Sequence, residues 1–133
     1  MDFTGTVTTL AGTAAQQGSA NGFGATARFS YPYGIAIDAL GVAYIADSAN
    51  NTIRKMDLTT TVSTLAGTAG SAGSADGTGA VARFNQPSAL AVDGVHLLLV
   101  EVEHHRRRQL ALEGREHERG VRIPGDEHAP GAS

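Results

Sequence analysis

The chain repeats itself, and the period of that repeat limits what it can fold into more than any other feature does. Val7-Thr8-Thr9-Leu10-Ala11-Gly12-Thr13-Ala14 returns without a gap as Val62-Ser63-Thr64-Leu65-Ala66-Gly67-Thr68-Ala69, 55 positions later. The same offset carries Gly18–Gly22 onto Gly73–Gly77, Ala27-Arg28-Phe29 onto Ala82-Arg83-Phe84, Pro32 onto Pro87, and Ile35–Asp38 onto Leu90–Asp93. Beyond Asp93 the second copy is eroded. Dropping one position still sets Tyr44–Asp47 against Leu98–Glu101, Arg54-Lys55-Met56 against Arg108-Gln109-Leu110, and Leu58 against Leu112. Val121–Gly125 is a faint further echo of Val62–Gly67, reached through the charged stretch Arg115–Arg119.

Within one copy the apolar runs are short and separated by turn residues, the mark of strands joined by tight turns. Gly34–Asp38, Val42–Ala46, Thr52–Met56 and Thr61–Leu65 are the four expected strands, with turns at Ala39-Leu40-Gly41 and Asp47–Asn51. Each repeat then makes one four-stranded antiparallel sheet. Seventeen Gly, no Trp and an aromatic content of 5% agree with thin strands and many turns rather than packed helices. The loops Gly12–Gly24 and Gly67–Gly79 hold only small residues and are expected at the surface, where they need bury little. Ala25–Phe29 and Ala80–Phe84 are expected to form a helical turn that Pro32 and Pro87 stop.

The residues Phe29-x-x-Pro32-x-Gly34-Ile35-Ala36-Ile37-Asp38, followed by Tyr44-Ile45-Ala46-Asp47-Ser48, Asn50-Asn51 and Ile53-Arg54, resemble the NHL repeat. The first copy matches along nearly its whole length. The second matches through Asp93 and then departs, with Glu101 for Asp47, Val102–His105 for the Ser-x-Asn-Asn turn and Arg107 for Ile53. The resemblance implies an all-β fold of tandem four-stranded antiparallel blades, part of a β-propeller of the six-bladed, TolB-like class, with the first strand of each blade innermost. It also implies that Val7–Leu10 is an outermost strand placed ahead of its blade, as in the strand exchange that closes propeller rings.

On that basis residues 1–28 are an outer strand plus a Gly-rich loop, and 29–83 a first blade with its loop. Residues 84–125 are a second blade, degraded after 93, and 126–133 a disordered tail. Two blades cannot close a circle. The unit is expected to be a fragment of a longer protein, a truncated or mis-assembled gene product without a stable fold, or a protomer that completes a ring by self-association through its open sheet edges. The repeat positions singled out by the resemblance are Phe29, Pro32, Gly34, Asp38, Asp47, Asn50, Arg54, Phe84, Pro87 and Asp93.

Candidate chemistry is sparse. Asp38, Asp47 and Asp93 could approach a cation near a propeller channel, but a turn-forming Asp that bonds its own backbone explains them more simply. Arg28 and Arg83, beside the two Phe residues, are expected to form exposed or blade-bridging ion pairs. Gly73–Gly79 has neither the alternating acids of a calcium loop nor the Lys of a phosphate loop, and reads as a flexible loop. His104, His105, His117 and His128 lack metal-ligand spacing, and a solvated charge run is expected. Arg106-Arg107-Arg108 is a small basic patch hemmed by Glu101, Glu103, Glu113 and Glu116, without interleaved aromatics for stacking bases. There is no strong nucleic-acid signal. No Gly-x-Ser-x-Gly motif is present, and metal positions of related propeller lyases and lactonases find no match.

A net charge of −3 creates no global field that would attract nucleic acid or an anionic membrane, no run reaches the ~20 apolar residues of a membrane helix, and the lack of Cys excludes disulfides and thiolate metal sites. The expectation is a soluble, non-catalytic module, without cofactor or metal, that binds protein, glycan or a small ligand through its loop face. The alternative is a piece of a propeller enzyme, lyase or gluconolactonase-like, whose site lies in other blades.

Overall fold

The computed structural model describes residues 5–94, 96–101 and 106–112, which form two antiparallel sheets. In chain order the strands are β1 (Gly22–Phe23), β2 (Pro32–Ile37), β3 (Ala43–Asp47), β4 (Thr52–Met56), β5 (Thr61–Ala66), β6 (Pro87–Asp93), β7 (His96–Glu101) and β8 (Arg106–Ala111). The first sheet runs β1-β5-β4-β3-β2 and the second β6-β7-β8. The fold is therefore all-β, consistent with part of a β-propeller. Single 3-10 turns stand at Gly24–Thr26 and Gly79–Val81, slightly ahead of the helical turns expected from the sequence.

The core lies between the sheets. Tyr44, Ala46 and Ile53 of the first sheet and Leu97 and Leu99 of the second meet around Phe84, and Leu90 and Val92 of β6 pack onto the same cluster. Small residues allow the approach. A Cβ added to Gly34 on β2 would stand 2.1 Å from the Ser88 carbonyl oxygen of β6, so the two strands nearly touch. Polar contacts complete the junction. The Gln86 amide donates to Asn51 Oδ1 at 2.8 Å, and the Ser48 hydroxyl donates to the Pro87 carbonyl. Asn51 presents that oxygen from a left-handed backbone position, φ 58°, which Asn tolerates better than most side chains.

One expectation needs correction. Val7–Leu10 is not a strand: it joins no ladder among the described residues, and Val7 is 90% exposed. The sequence is strand-forming, but its counterpart Thr61–Ala66 is a strand because β4 lies beside it, and no such neighbour faces Val7 among the described residues. Conversely, the substitutions after Asp93 do not prevent β7 and β8 from forming, in a continuous register from His96↔Ala111 to Glu101↔Arg106. Arg107, where the first copy has Ile53, is accommodated by facing solvent. Residues 113–133, including the Val121 echo and the expected tail, lie outside the described residues.

The β4–β5 hairpin is closed by Asp57. Its Oδ1 accepts from the Thr59 hydroxyl at 2.6 Å, the Thr59 amide at 2.9 Å and the Thr61 amide at 3.1 Å. These bonds hold the carboxyl below its ordinary value of 3.8, the Thr59 hydroxyl contributing most. A depressed carboxyl stabilises the fold above its unfolded-state pKa, and that contribution disappears as pH falls through the folded-state value. Thr59→Ala is expected to raise the Asp57 pKa toward the ordinary value, read by NMR titration of its carboxyl carbon. An unchanged titration would show that the backbone amides alone set it.

Candidate binding surfaces

Arg54 on β4 is a buried cation, 1% exposed. Nη1 donates to Asp47 Oδ2 at 2.8 Å and to the Arg28 carbonyl at 2.7 Å. Nη2 donates to the Ala20 carbonyl and to Asn21 Oδ1, both at 2.9 Å. The guanidinium also lies 5.1 Å from the Phe29 ring centroid, within cation–π range. Asp47 is satisfied on every side, Oδ1 accepting from the Ser30 amide at 2.7 Å and Oδ2 also from Asn50 Nδ2 at 2.7 Å. One fork thus ties the end of β3, the Phe29 segment and the surface loop into a single knot. Asn50 Nδ2 extends it to the Gly18 carbonyl at 2.8 Å.

The knot is rebuilt in the second sheet from different residues. Arg108 Nη1 donates to Glu101 Oε2 at 3.2 Å and to the Arg83 carbonyl at 2.7 Å; Nη2 donates to the Ala75 carbonyl at 3.0 Å and to Asp76 Oδ1 at 2.8 Å. Its guanidinium stands 4.9 Å from the Phe84 centroid, and the Asn85 amide donates to Glu101 Oε2 at 2.8 Å. Where Asn50 of the first sheet joins Arg54 on Asp47 Oδ2 and reaches a loop carbonyl, Arg106 of the second donates through Nε to the other carboxylate oxygen, Glu101 Oε1, at 3.1 Å and through Nη2 to the Ser74 carbonyl at 2.9 Å. The longer Glu reaches where Asp did, and Arg106 replaces an amide.

This arrangement revises several residue roles. Asp47 is not a turn-former bonding its own backbone but half of a buried ion pair; that description fits Asp38, whose Oδ1 accepts from the Leu40 and Val42 amides at 2.9 and 3.0 Å, with the Tyr44 hydroxyl on Oδ2 at 3.0 Å. Asp93, at the equivalent place, pairs in register with His96 at the β6–β7 turn. Arg28 and Arg83 do not bridge to acids among the described residues. Each folds back on its own loop, Arg28 onto the Ala25 and Ala27 carbonyls and Gln16 Oε1, Arg83 onto the Ala80 and Ala82 carbonyls, because the 3-10 turns leave those carbonyls without helical partners. Of the basic patch, Arg106 and Arg108 are committed to the knot and only Arg107 faces outward. His104, His105, His117 and His128 lie outside the described residues. No group of three or more His, Asp or Glu side chains is arranged for a metal among the described residues.

The Arg–acid pairs were missed in the sequence, although a signal existed. An acid and an Arg stand seven positions apart in both copies, Asp47/Arg54 and Glu101/Arg108, while the turns between them change completely.

Three open grooves lie at the margins of the sheets. One of about 330 Å³ runs along β8, lined by Asp76, Phe84 and Arg106–Leu110. Two more, about 510 and 500 Å³, lie where Thr8–Gln17 passes Phe29, Tyr31, Pro32, Tyr33 and Ile35. Above the sheets the loops remain open as well. In the second, Ala69, Gly70, Ala72 and Ser74–Thr78 are exposed even though the first sheet packs beside them.

No family model matches the chain, and no curated protein matches it. Solved structures do. A protein of unknown function from Bacteroides thetaiotaomicron VPI-5482 is 33% identical with a TM-score of 0.73, over 77% of this chain and 26% of that one. An auxiliary nutrient binding protein from the same organism is 22% identical, TM-score 0.66, over 75% of this chain and 27% of its own. Another, from Bacteroides ovatus ATCC 8483, is 22% identical, TM-score 0.67, over 77% and 28%. The chain spans about a quarter of the length of these structures. The class so defined is an all-β fold of tandem antiparallel sheets. No helix among the described residues is long and apolar enough to cross a membrane.

Proposed function

We propose that the chain is a non-catalytic binding module built from NHL-type blades of a β-propeller, which takes a glycan or small nutrient-like ligand on its loop face. The observation that carries this reading is the knot. In both sheets a guanidinium is used to hold a polar surface loop in one conformation, through Ala20 and Asn21 in one and Ala75 and Asp76 in the other. Loops held rigidly on a sheet scaffold while their outer atoms face solvent are the usual carriers of recognition. The buried charges Asp47, Arg54, Glu101 and Arg108 are all engaged in that holding, which fits a scaffold rather than acid–base chemistry. Two of the fold's solved neighbours carry nutrient-binding names, which suggests the ligand class to try first.

The test is a glycan panel followed by calorimetric titration of the full chain. Saturable binding is expected for at least one carbohydrate. It should be abolished when Ser74–Thr78 is replaced by a Gly-Ser stretch of equal length that retains Asp76, with the unfolding transition preserved. A folded chain with no saturable ligand among glycans, peptides and small nutrients would sink the reading.

A further inference from the structure

The two knots hold their loops through side chains that differ by one chemical step. Arg54 Nη2 meets Asn21 Oδ1 at 2.9 Å, whereas its counterpart Arg108 Nη2 meets the carboxylate of Asp76 at 2.8 Å. Asn21 and Asp76 stand 55 positions apart, and a glycine follows each. An amide and a carboxylate of the same shape thus serve equivalent cations. Hydrolysis converts the first into the second.

Of the four asparagines, Asn21, Asn50, Asn51 and Asn85, only Asn21 precedes a glycine. The backbone nitrogen of glycine is the least shielded of nucleophiles, because no Cβ stands beside it. That glycine is fixed by the fold: Gly22 has φ 150°, and a Cβ added to it would overlap the Thr26 hydroxyl. Asn21 itself is exposed. β1, which sets Gly22 against Val62, is two residues long and ends the sheet, where short pairings open locally. Arg54 does not depend on that pairing, being held by Asp47 and the Arg28 carbonyl. Asn21 Oδ1 accepts a second bond, from the Thr64 hydroxyl at 3.2 Å. Two donors, one of them charged, therefore converge on the oxygen where negative charge gathers when Cγ is attacked.

We infer that Asn21 is a self-deamidation site at which Arg54 and Thr64 promote the reaction and direct its product. The Gly22 nitrogen, its proton lost to solvent base, bonds to Asn21 Cγ, and the oxygen of the tetrahedral adduct is held by Arg54 Nη2 and the Thr64 hydroxyl. The Cγ–Nδ2 bond then breaks. Nδ2 takes a proton from water and leaves as ammonia, and the chain is left with a cyclic succinimide. Water opens the ring at one of its two carbonyls. Attack at Cγ restores the ordinary backbone and gives Asp; attack at the other routes the backbone through the side chain and gives isoaspartate. The two donors polarise the Cγ carbonyl, so the folded chain yields chiefly Asp where an unfolded one yields chiefly isoaspartate. The product arrangement already exists in the molecule, as the pair of Asp76 with Arg108. An aspartate at position 21 pairs with Arg54 in the same way and adds one negative charge to the chain's −3.

The full chain is held at mildly alkaline pH, folded or in urea, then digested for mass mapping that resolves Asp from isoaspartate. The expected result is conversion at Asn21 with Asn50, Asn51 and Asn85 intact in the folded chain, Asp exceeding isoaspartate when folded and the reverse in urea. Thr64→Val, which keeps a strand-forming residue on β5, should slow the reaction of the folded chain about fivefold, the effect of one neutral hydrogen bond, and leave the rate in urea unchanged. Asn21→Asp should unfold cooperatively with a midpoint no lower than that of the unsubstituted chain. An Asn21 that survives intact in the folded chain overturns the inference. So does a product ratio that is the same folded and in urea, or a folded Thr64→Val chain that reacts at full speed; if that variant does not fold, the product ratio of the unsubstituted chain decides. Glycan binding is read separately, and its failure would sink the proposed function while leaving this inference standing.

Discussion

Arg54→Ala will lower the unfolding free energy by about 3–5 kcal/mol, the usual cost of removing one partner from a buried ion pair. The reason lies in what is left behind. Asp47, fully buried, loses the cation that faces it, and the Arg28 and Ala20 carbonyls and Asn21 lose a donor together. Against a total stability of about 5–15 kcal/mol for a domain, a loss of that size leaves little. Arg54→Lys should recover only a minor part, because one ammonium cannot span the two directions that the fork serves. Urea unfolding followed by circular dichroism checks both. A loss below about 1 kcal/mol for Arg54→Ala would mean that the pair behaves as an exposed one, which the packing of Phe29 over it contradicts. Arg108→Ala should cost less, since Arg106 remains on Glu101.

Gly34→Ala is the second large effect. The new Cβ would lie 2.1 Å from the Ser88 carbonyl oxygen and close to two further backbone atoms, so no side-chain rotation relieves it. The sheets must part. Overpacking of this kind costs about 1–3 kcal/mol, occasionally more, and the upper end is expected because the obstacle is main chain. The cost is steric alone, since Gly34 does not occupy a left-handed conformation. Thermal unfolding of Gly34→Ala should show a lowered midpoint. A change within about 0.5 kcal/mol, ordinary for a surface substitution, would show that β2 and β6 are not packed this closely.

Much of the fold was legible because strands in this chain are specified locally. Val42–Ala46 and Thr52–Met56 lie within a residue of the observed β3 and β4, since turns at Asp38–Gly41 and Ser48–Asn51 punctuate them. The ladder partner of Val7–Leu10 is not local, so a strand-like sequence there did not guarantee a strand. The second copy misled in the opposite direction. Judged by residue identity, Glu101 and Arg106 look like erosion, but judged by the bonds they make they restore the knot of Asp47 and Asn50. Similarity scores reward the same side chain, whereas a buried carboxylate requires only that its oxygens be met. The loop face was legible as loop, but not as a restrained one. Its restraint comes from an Arg 33 or 34 residues away, beyond the reach of local pattern reading.

That distance carries a consequence for how the chain acquires its shape. The bonds of the first knot join residues no more than 34 apart, and those of the second no more than 33. Each sheet can therefore close its most demanding electrostatic arrangement from its own stretch of chain, before any neighbour is present, at the modest loop-closure entropy of such spans. Repeats wired in this way assemble by accretion, one finished unit serving as the template on which the next condenses.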